Sequence, residues 1–453
     1  MEKLTLRDLD LQGKRVLMRV DFNVPLSKDG KIADDSRIEA SLPSIRYVLK
    51  QGGRLILMSH LGRPDGKADP KCSLSICAKR LSELLGENVK MAPESVGPEV
   101  EKMALELKSG EVMLLENLRF HPGEEKPESE KGFVEGLAKL GQVYVNDAFG
   151  TAHRAHASTA KIASFFPGKA AAGFLMEKEV SMLGNLLQHP KKPFYAIIGG
   201  SKVSTKIGAI KNLLSRIDAL FIGGGMAYTF LKAQGFRIGD SLCEEGEVKL
   251  AQQILAECKK KKIPCHLPID LVIADAFSNE AARQIVDVYR EQEGFVNLGS
   301  ASQRKIDPNE RDHCTSCKAS EEDRFYADVA SPNSQNLPAS GIKEGIPNGW
   351  QGMGIGPKTV DQWSSEFKKA ATIFWNGPLS VFEMPRFQEG TFAIAKSLSH
   401  LKITIVAGGG DSVAAIEKQG LKKSFSHLST GGGASLEFLE FGHLPGIDAL
   451  TNK

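Results

Sequence analysis

Short apolar runs alternate with amphipathic stretches along most of the 453 residues of this chain. The apolar runs have the length and composition of buried strands, and they lie at residues 15–22, 53–61, 111–120, 142–149, 194–200, 218–225, 269–275, 371–378 and 402–411. Between them, apolar residues recur at helical spacing, for example over residues 37–52 and 248–262. Strands that alternate with helices in this way are typical of parallel sheets with helices on both faces. The pattern therefore predicts an α/β fold.

Residues 173–193 join the two halves of the pattern and read as one helix that ends at His189-Pro190. We therefore expect two α/β lobes with parallel sheets, joined by a helix and hinge, with a cleft between them. The predicted boundaries are residues 1–174 for the N-terminal lobe, 175–190 for the interdomain helix and 191–435 for the C-terminal lobe. Open parallel sheets bind ligands beyond the carboxyl ends of their strands, so we expect the chemistry where those ends face the cleft.

One segment, residues 286–344, breaks the alternation because it is polar and has little apolar periodicity. Such a segment within a regular α/β pattern is typical of a surface insertion. It contains Cys314 and Cys317, whose spacing suits a free thiol pair, a local redox pair or half of a zinc site. A structural zinc site needs four ligands and only His313 adds a candidate nearby, so the first two interpretations are favoured.

The near-equal numbers of basic and acidic residues limit which classes of partner the protein could bind. Lys and Arg number 58 against 55 Asp and Glu, which argues against a surface devoted to nucleic acid or anionic lipid. No apolar run reaches the length that spans a bilayer, and the first residues lack the apolar core of a secretory signal. The seven scattered cysteines favour reduced thiols over a disulfide framework. We expect a cytoplasmic monomer that binds neither nucleic acid nor membrane.

Unusual polar residues follow the predicted strands of the first half, where a parallel sheet would present them at one edge. They are Asp21, Asn23, Arg37, His60, Arg63, Arg119, His153, Arg154 and His156. A single arginine is usually a solvated surface residue, but four of them beside strand ends indicate a site for a small anion. Guanidinium groups bind phosphate and carboxylate bidentately, which suits a phosphorylated carboxylic acid. Asp21 and Asn23 could bind its hydroxyl groups.

Glycine clusters follow the predicted strands of the second half instead, at residues 199–200, 223–225, 408–410 and 431–433. A strand that leads through glycines into a helix N-terminus offers free N–H groups and a helix dipole to phosphate. Lys202 and Lys206 follow the first cluster, and their spacing predicts one face of a helix. Asp411, directly after the third cluster, could hold Mg²⁺ through its carboxylate oxygens. These features indicate nucleotide binding.

Several common catalytic signatures are missing from the sequence. It contains no GxxxxGK[ST] phosphate loop, no GxGxxG dinucleotide fingerprint, no HExxH and no GxSxG. What remains is an anion site in one lobe, a phosphate cradle in the other and a cleft between them. That arrangement suits phosphoryl transfer, in which positioning and charge stabilisation supply most of the catalysis.

Nine segments, in one order along the chain, resemble the phosphoglycerate kinase family. They are RVDFNVP, SHLGRP, ENLRFHPGEE, NDAFGTAHRAHAST, GGSKVSTKI, IGGGMAYTFLK, FWNGPLSVFE, GGGDS and STGGGASLE. The resemblance extends to residues 445–446, except for the polar segment at 286–344. It implies two Rossmann-like lobes and a C-terminal segment, residues 436–453, that returns to the N-terminal lobe. It also implies reversible phosphoryl transfer between 1,3-bisphosphoglycerate and Mg-ADP, giving 3-phosphoglycerate and Mg-ATP.

The resemblance also implies a role for individual residues. The implied ligands of phosphoglycerate are Asp21, Phe22, Asn23, Arg37, His60, Leu61, Gly62, Arg63, Arg119 and Arg154. The implied ligands of the nucleotide are Lys202, Lys206, Gly225, Gly352, Glu383, Gly409, Gly410, Asp411 and Ser412. Glu383 would bind the ribose, and Asp411 would also hold Mg²⁺. Arg37, Lys202 and Lys206 would be the catalytic residues, because they would stabilise the phosphoryl group during transfer.

Two positions depart from the family pattern, since Gly354 stands where Asp is usual and Ser380 where Gly is common. Two other classes of function compete with an active kinase. A scaffold protein that had kept the fold would be expected to lose Arg37, Lys202, Lys206 or Asp411 first, and all four are present. A dinucleotide-dependent oxidoreductase would need the missing glycine fingerprint. We therefore expect an active kinase.

Overall fold

A computed structural model of the chain describes residues 2–288 and 343–453. Most of the segment interpreted as an insertion, including His313, Cys314 and Cys317, lies outside these residues.

The first half of the chain forms one parallel sheet. Its strands are β1 (Arg15–Arg19), β2 (Arg54–Met58), β3 (Val89–Met91), β4 (Val112–Leu114), β5 (Val143–Asn146) and β6 (Ala170–Ala172). Its helices are α1 (Ser36–Lys50), α2 (Ser75–Leu85), α3 (Pro98–Glu106), α4 (Pro122–Glu125) and α5 (Phe133–Leu140). The strand order is β3-β4-β2-β1-β5-β6, and all neighbours are parallel.

Alternate residues of the central strands face opposite layers of this sheet. Val16 and Met18 pack in the same cluster as Ile45 of α1, whereas Leu17 and Ile56 pack with Leu137 of α5. Successive side chains of a strand point to opposite faces, so a strand buried on both sides is apolar throughout. The continuous apolar runs of the sequence have this cause.

After α6 (Phe174–Gln188), the second half forms a second sheet of six parallel strands. Its elements are β7 (Phe194–Ile198), α7 (Ile207–Leu213), β8 (Ala219–Ile222), α8 (Met226–Ala233), β9 (Phe236–Ile238), α9 (Val248–Lys261), β10 (Cys265–His266), β11 (Asp270–Ala274), β12 (Arg283–Asp287), β13 (Lys343–Ile346), β14 (Gln351–Ile355), α10 (Pro357–Phe367), β15 (Thr372–Asn376), α11 (Glu389–Ser399), β16 (Thr404–Gly408), α12 (Gly410–Lys418), β17 (His427–Leu428), α13 (Gly433–Phe441) and α14 (Pro445–Asp448). The parallel sheet has the order β10-β8-β7-β15-β16-β17. The prediction of an α/β fold with two parallel sheets is confirmed.

One apolar run does not join the second parallel sheet. Residues 269–275 form β11, which pairs antiparallel with β12 and β14 in a separate three-stranded sheet. Asp270 on this strand is buried and accepts hydrogen bonds from the backbone N–H groups of Lys358 and Thr359, at 3.0 and 2.8 Å. The carboxylate therefore caps the first turn of α10 and ties the small sheet to that helix.

Helix α6 is anchored to both halves of the chain. At its start, Asp147 accepts hydrogen bonds from the N–H groups of Leu175 and Met176 at 2.9 and 3.2 Å. Further along, the buried Glu179 accepts from His427 at 2.7 Å and from the N–H of Thr430 at 2.7 Å. The helix is thus fixed to the loop after β5 and to the region of β17.

The chain crosses back after α13. Phe438 of α13 packs edge-on against Phe149, with ring centroids 6.3 Å apart. Thr451 then accepts from the N–H of Leu4 at 2.8 Å and donates its own N–H to Ala170 at 3.0 Å. The final residues therefore add to the edge of the first sheet beside β6. Among the residues that the structure describes, no helix is both long and apolar enough to cross a membrane.

Candidate active site

The arginines and acids of the first half meet at one edge of its sheet. Asp21 and Asn23 follow β1, His60 to Arg63 follow β2, Arg119 follows β4, and residues 147–156 follow β5. These four strands are neighbours in the order β4-β2-β1-β5. Because parallel strands end at the same edge, residues that are far apart in sequence become adjacent there.

Hydrogen bonds among its own residues organise this edge. Asp21 accepts from Arg37 at 2.6 Å, and its other carboxylate oxygen accepts from the N–H of Asn23 at 3.2 Å. Asn23 accepts in turn from the N–H of Gly62 at 2.9 Å. Arg119 donates to the carbonyl of Gly62 at 2.9 Å. The structure therefore brings these five predicted ligands into one connected group.

The other predicted ligands of this half differ in exposure. Arg63 and Arg154 are exposed, so their guanidinium groups are accessible to a ligand. Phe22 and Leu61 are core residues, at 0 % and 2 % exposure. The N–H of Phe22 already donates to Ser59 at 2.8 Å, and the carbonyl of Leu61 accepts from Asn117 at 2.7 Å. Their side chains support the loops from below and do not face the edge.

The nearby histidines are uncharged. Burial first, and then the charges of Arg19, Arg119 and Arg37, lower the pKa of His60 well below its ordinary value. Burial first, and then neighbouring arginines, lower the pKa of His156 to about 4. Both imidazoles are therefore neutral at pH 7, so the positive charge at this edge comes from guanidinium groups, which suit an anionic ligand.

Sequence reasoning missed Arg19, the last residue of β1, which is 1 % exposed. Arg19 donates to Ser158 at 2.8 Å and contacts the ring of His60 at 3.1 Å. Its counter-ion is Glu124 at 3.8 Å, which also accepts from the Ser158 hydroxyl at 2.6 Å. A charged residue inside an apolar run must be buried with a partner, and that signal was available in the sequence.

We predict that the pKa of His156 makes the fold sensitive to acid. The pKa is about 4 in the folded protein and about 6.5 in an unfolded chain, so between these values only the unfolded chain binds the proton. Stability is therefore full above pH 6.5 and falls as the pH drops toward 4. This one group should lower the free energy of unfolding by about 2 kcal/mol between pH 7.5 and 5.0. His156→Gln should lose that part of the pH dependence in urea titrations at the two pH values.

The exposed His400 provides the matched control, because His400→Gln should keep the pH dependence of the parent. An equal pH dependence in His156→Gln and the parent would contradict the assignment.

The glycine loops of the second half also meet at one edge. Residues 199–206 follow β7, 223–225 follow β8, 377–383 follow β15, and 409–412 follow β16. The strands are neighbours in the order β8-β7-β15-β16. The N–H of Gly200 donates to the carbonyl of Pro378 at 2.8 Å, which ties the first and third of these loops together.

Lys206 lies at the centre of this edge. Its Nζ donates to Asn376 Oδ1 at 2.6 Å, and burial lowers its pKa to about 8 against the opposing effect of Asp411. Gly377 has a φ of +92°, and a Cβ there would lie 2.4 Å from Nζ of Lys206. Glycine is therefore required at 377 for both backbone conformation and space.

Lys202 and Lys206 do not share a helix face, so that prediction is wrong. Helix α7 begins only at Ile207, and residues 203–205 form turns. The N–H groups of Val203 and Ser204 donate to the carboxylate of Glu244. These two bonds take the place of the hydrogen bonds that a helix over these residues would make. Lys202 is consequently exposed, whereas the amine of Lys206 points inward.

Asn376 is a second residue that sequence reasoning missed. Its Oδ1 holds Lys206, while its buried Nδ2 has no hydrogen-bond partner. A Cβ on Gly409 would lie 3.1 Å from that nitrogen, so the orphaned donor faces the glycine loop after β16. Ser412 in the same loop uses its hydroxyl internally, accepting from Gly377 at 2.6 Å and donating to Gly408 at 2.9 Å. Buried polar groups seldom stay unpaired, so among the described residues this donor remains available to an acceptor at the loop.

Two of the remaining predicted nucleotide residues, Gly225 and Gly352, lie beside α8, since a Cβ on Gly352 would meet the ring of Tyr228. Gly225 immediately precedes this helix, and the side chain of Leu242 would lie 3.3 Å from a Cβ there. Leu242 is 51 % exposed and adds apolar surface beside Gly225. Gly352 on β14 donates its N–H to Ser241 at 2.8 Å. Glu383 is exposed at the end of the loop after β15.

Asp411 is exposed at the N-terminal turn of α12. Among the described residues, no group of three or more His, Cys, Asp or Glu side chains could enclose a metal ion. One carboxylate at a phosphate loop fits Mg²⁺ of the kind that binds mainly through substrate phosphates and water. The donor set present is therefore compatible with a nucleotide-bound magnesium ion.

Comparisons with known proteins agree on one family. The family model described as phosphoglycerate kinase matches residues 6–309 and 317–442. The phosphoglycerate kinases of Moorella thermoacetica and Pseudothermotoga lettingae are 47% and 44% identical to this chain, and each alignment covers 100% of both proteins. The structures of phosphoglycerate kinase from Coxiella burnetii and Pyrococcus horikoshii OT3 superpose with TM-scores of 0.75 and 0.76, at 35% and 30% identity. Both cover 99% of this chain and 98% of their own.

Proposed function

Since the chain belongs to the phosphoglycerate kinase family and is a phosphotransferase with a carboxyl group as acceptor, we propose that the two sheet edges described above hold its two substrates. The enzyme catalyses reversible phosphoryl transfer between 1,3-bisphosphoglycerate and ADP, giving 3-phosphoglycerate and ATP. The first edge would bind the phosphoglycerate and the second the nucleotide. A coupled assay with 3-phosphoglycerate and Mg-ATP tests the activity directly.

The observation that carries the assignment of the first edge is its connected group of arginines beside neutral histidines. Arg37, Arg63, Arg119 and Arg154 would bind the phosphate and carboxylate of phosphoglycerate, while Asp21 and Asn23 would bind its hydroxyl. The backbone of residues 60–62 would complete the site. Arg37 is 35 % exposed and is held by Asp21, so it can turn from that carboxylate toward the phosphoryl group in transfer.

The second edge would bind the nucleotide phosphates through Lys202, Lys206 and the N–H groups of Gly409 and Gly410. The orphaned donor of Asn376 supports this assignment. Lys206 is desolvated and already oriented, so its charge acts on the transferring group with little screening. Ser412 would act through its backbone, because its hydroxyl is already bound. Gly225, Gly352 and Glu383 would contact the adenosine, with Glu383 on the ribose.

Asp411 would hold the magnesium ion of the nucleotide, because its exposed carboxylate directly follows the glycines after β16. When bound, Mg²⁺ neutralises charge on phosphate oxygens and so favours their approach to a second anion. The protein's own contribution is to hold Lys202 and Lys206 on one side of the phosphates and Arg37 on the other.

We predict that Asp411→Ala weakens Mg-ATP binding about tenfold or more and leaves 3-phosphoglycerate binding unchanged. Loss of a charge-assisted contact has about this size, and the two substrates would lie on different sheets. Calorimetry with each ligand separately measures the two affinities. Glu417→Ala on the same helix is the control, since Glu417 forms a surface ion pair with Lys422 at 3.0 Å. Equal weakening of both ligands by Asp411→Ala would contradict the assignment.

The domain boundaries, location and oligomeric state expected from the sequence are also proposals. We propose residues 1–174 and 191–435 as the two lobes, joined by residues 175–190, with 436–453 returning to the first lobe. The bonds of Thr451 to Leu4 and Ala170 support that return. The five cysteines in the described part of the chain are free thiols, which supports a cytoplasmic location. We also propose that the protein is a monomer, which light scattering after size exclusion tests.

A further inference from the structure

Gly354 and Ser380, the two departures from the family pattern, face each other. They form an isolated antiparallel bridge between β14 and the loop after β15. A Cβ built on Gly354 would lie 2.3 Å from Cβ and 2.7 Å from Cα of Ser380. Carbon atoms do not approach this closely without a shift of the structure. The side chain at 380 therefore occupies the space that a side chain at 354 would need.

The hydroxyl of Ser380 is buried and fully bonded. Thr391 Oγ1 accepts from the N–H groups of Leu379 and Ser380, at 3.0 and 2.9 Å. Since both of its lone pairs are used, its own proton points to Ser380 Oγ at 2.7 Å. Ser380 Oγ also accepts from the N–H of Thr391 at 3.0 Å and donates to the carbonyl of Gln388 at 3.3 Å. The Ser380–Thr391 pair thus leaves no donor unpaired.

This pair holds the loop that carries the proposed nucleotide contacts. Two residues before Ser380, the carbonyl of Pro378 accepts a hydrogen bond from the N–H of Gly200 in the loop after β7. Three residues after it, Glu383 is the proposed ribose ligand. On one flank of Ser380, the N–H of Val381 donates to Met353 of β14 at 2.8 Å. The hydroxyl pair therefore fixes the distance between two parts of this loop: Pro378, which contacts the loop after β7, and Glu383, the proposed ribose ligand.

We propose that Ser380 is a positioning residue for the nucleotide: it locks the loop at 377–383 onto the first turn of α11, and Gly354 is glycine to make room for it. The proposal rests on the nucleotide site proposed above. Ser380 does not contact the nucleotide itself and acts only by holding the loop in place.

Ser380→Ala removes the hydroxyl and keeps Cβ. We expect the KM for ATP and the Kd of ADP to rise about tenfold, the value of one buried hydrogen bond. The KM for 3-phosphoglycerate should stay unchanged, and kcat should change less than about threefold. Thr391→Val removes the other hydroxyl and should reproduce this effect, whereas Thr391→Ser keeps it and should behave like the parent. These two variants test the pair even if Ser380→Ala folds poorly.

Thr359→Val is the matched structural control. Thr359 also uses a buried hydroxyl at the start of a helix, where it donates to Asp270 at 2.6 Å. It should lower the thermal midpoint of unfolding while the KM for ATP stays at the parent value. If Ser380→Ala likewise lowered only the thermal midpoint, Ser380 would be a purely structural residue and the proposal would be wrong.

A double-mutant cycle tests the second half of the proposal. Gly354→Ala should be strongly disruptive in the parent and less disruptive in Ser380→Gly, because the contact with Cβ at 2.3 Å is then gone while the contact with Cα at 2.7 Å remains. Ser380→Gly would thus harm the parent and help the Gly354→Ala variant. Additive effects would refute the coupling. Asp411→Ala separates this failure from that of the nucleotide site, since it should still weaken ATP binding if only the role of Ser380 is wrong.

Discussion

Replacing Arg37 by alanine should lower kcat by on the order of 100-fold or more and raise KM for either substrate much less. The guanidinium is proposed to meet charge that peaks during transfer, so its loss weakens the transition state more than the bound substrates. The resting contact with Asp21 at 2.6 Å keeps the group at the sheet edge and oriented before any ligand arrives. Preorganised donors of this kind supply effects of that size. Steady-state kinetics in both directions measure kcat and KM separately.

Arg46→Ala is the control on the same helix, because Arg46 is exposed and its guanidinium donates to the carbonyl of Leu84 at 2.8 Å. Its kinetics should match those of the parent. A kcat for Arg37→Ala within a few-fold of the parent, in a protein of normal stability, would remove Arg37 from the catalytic residues.

Replacing Lys206 by methionine should lower kcat by on the order of 100- to 1,000-fold. Methionine keeps most of the side-chain volume, so the change isolates the charge. In the parent, burial has lowered the pKa of this amine to about 8. The cation is therefore present below pH 8 and is lost as the pH rises through that value. We expect kcat/KM for ATP to fall above pH 8 in the parent, and this fall to be absent in the variant.

Lys211→Met is the matched control, because Lys211 is an exposed residue in the last turn of the same helix. It should keep both the parent kcat and the parent pH profile. A pH profile for Lys206→Met that still falls above pH 8 would assign the titration to another group.

Most of the fold could be predicted because its strands are buried on both faces. Such strands are continuous apolar runs, and a run of this kind is visible without knowledge of its neighbours. The run at 269–275 was different, since nothing within it shows whether its pairing partner is parallel or antiparallel. Of its two antiparallel partners, β12 lies about ten residues further along and ends inside the segment interpreted as an insertion, whereas β14 lies about 80 residues away, where pairing has no local signal.

Some residues of the candidate site could be predicted from the sequence and others could not. Asn23 and Asp411 were predictable because polar residues at the ends of apolar runs lie at the sheet edge, whereas Arg37 lies in the first turn of α1. Asn376 was missed because it is the last residue of its strand and reads as part of the run; only its orphaned Nδ2 distinguishes it. The turn before α7 was missed because Glu244, which binds its N–H groups, lies some 40 residues away. The roles of Asn376 and of the turn before α7 both depend on contacts with residues that are distant in the sequence.

The chain passes twice between the two sheets, once through α6 and once after α13. Two rigid bodies joined at one point can swivel in every direction, but bodies joined at two points can turn only about the line through them. The bonds of Asp147 and Glu179 fix the first connection, and those of Thr451 with Leu4 and Ala170 fix the end of the second. Two connections would therefore limit the relative movement of the two proposed substrate edges more than a single connection would. A restricted approach of this kind would favour the same alignment of phosphoryl donor and acceptor in each cycle, which in-line transfer requires.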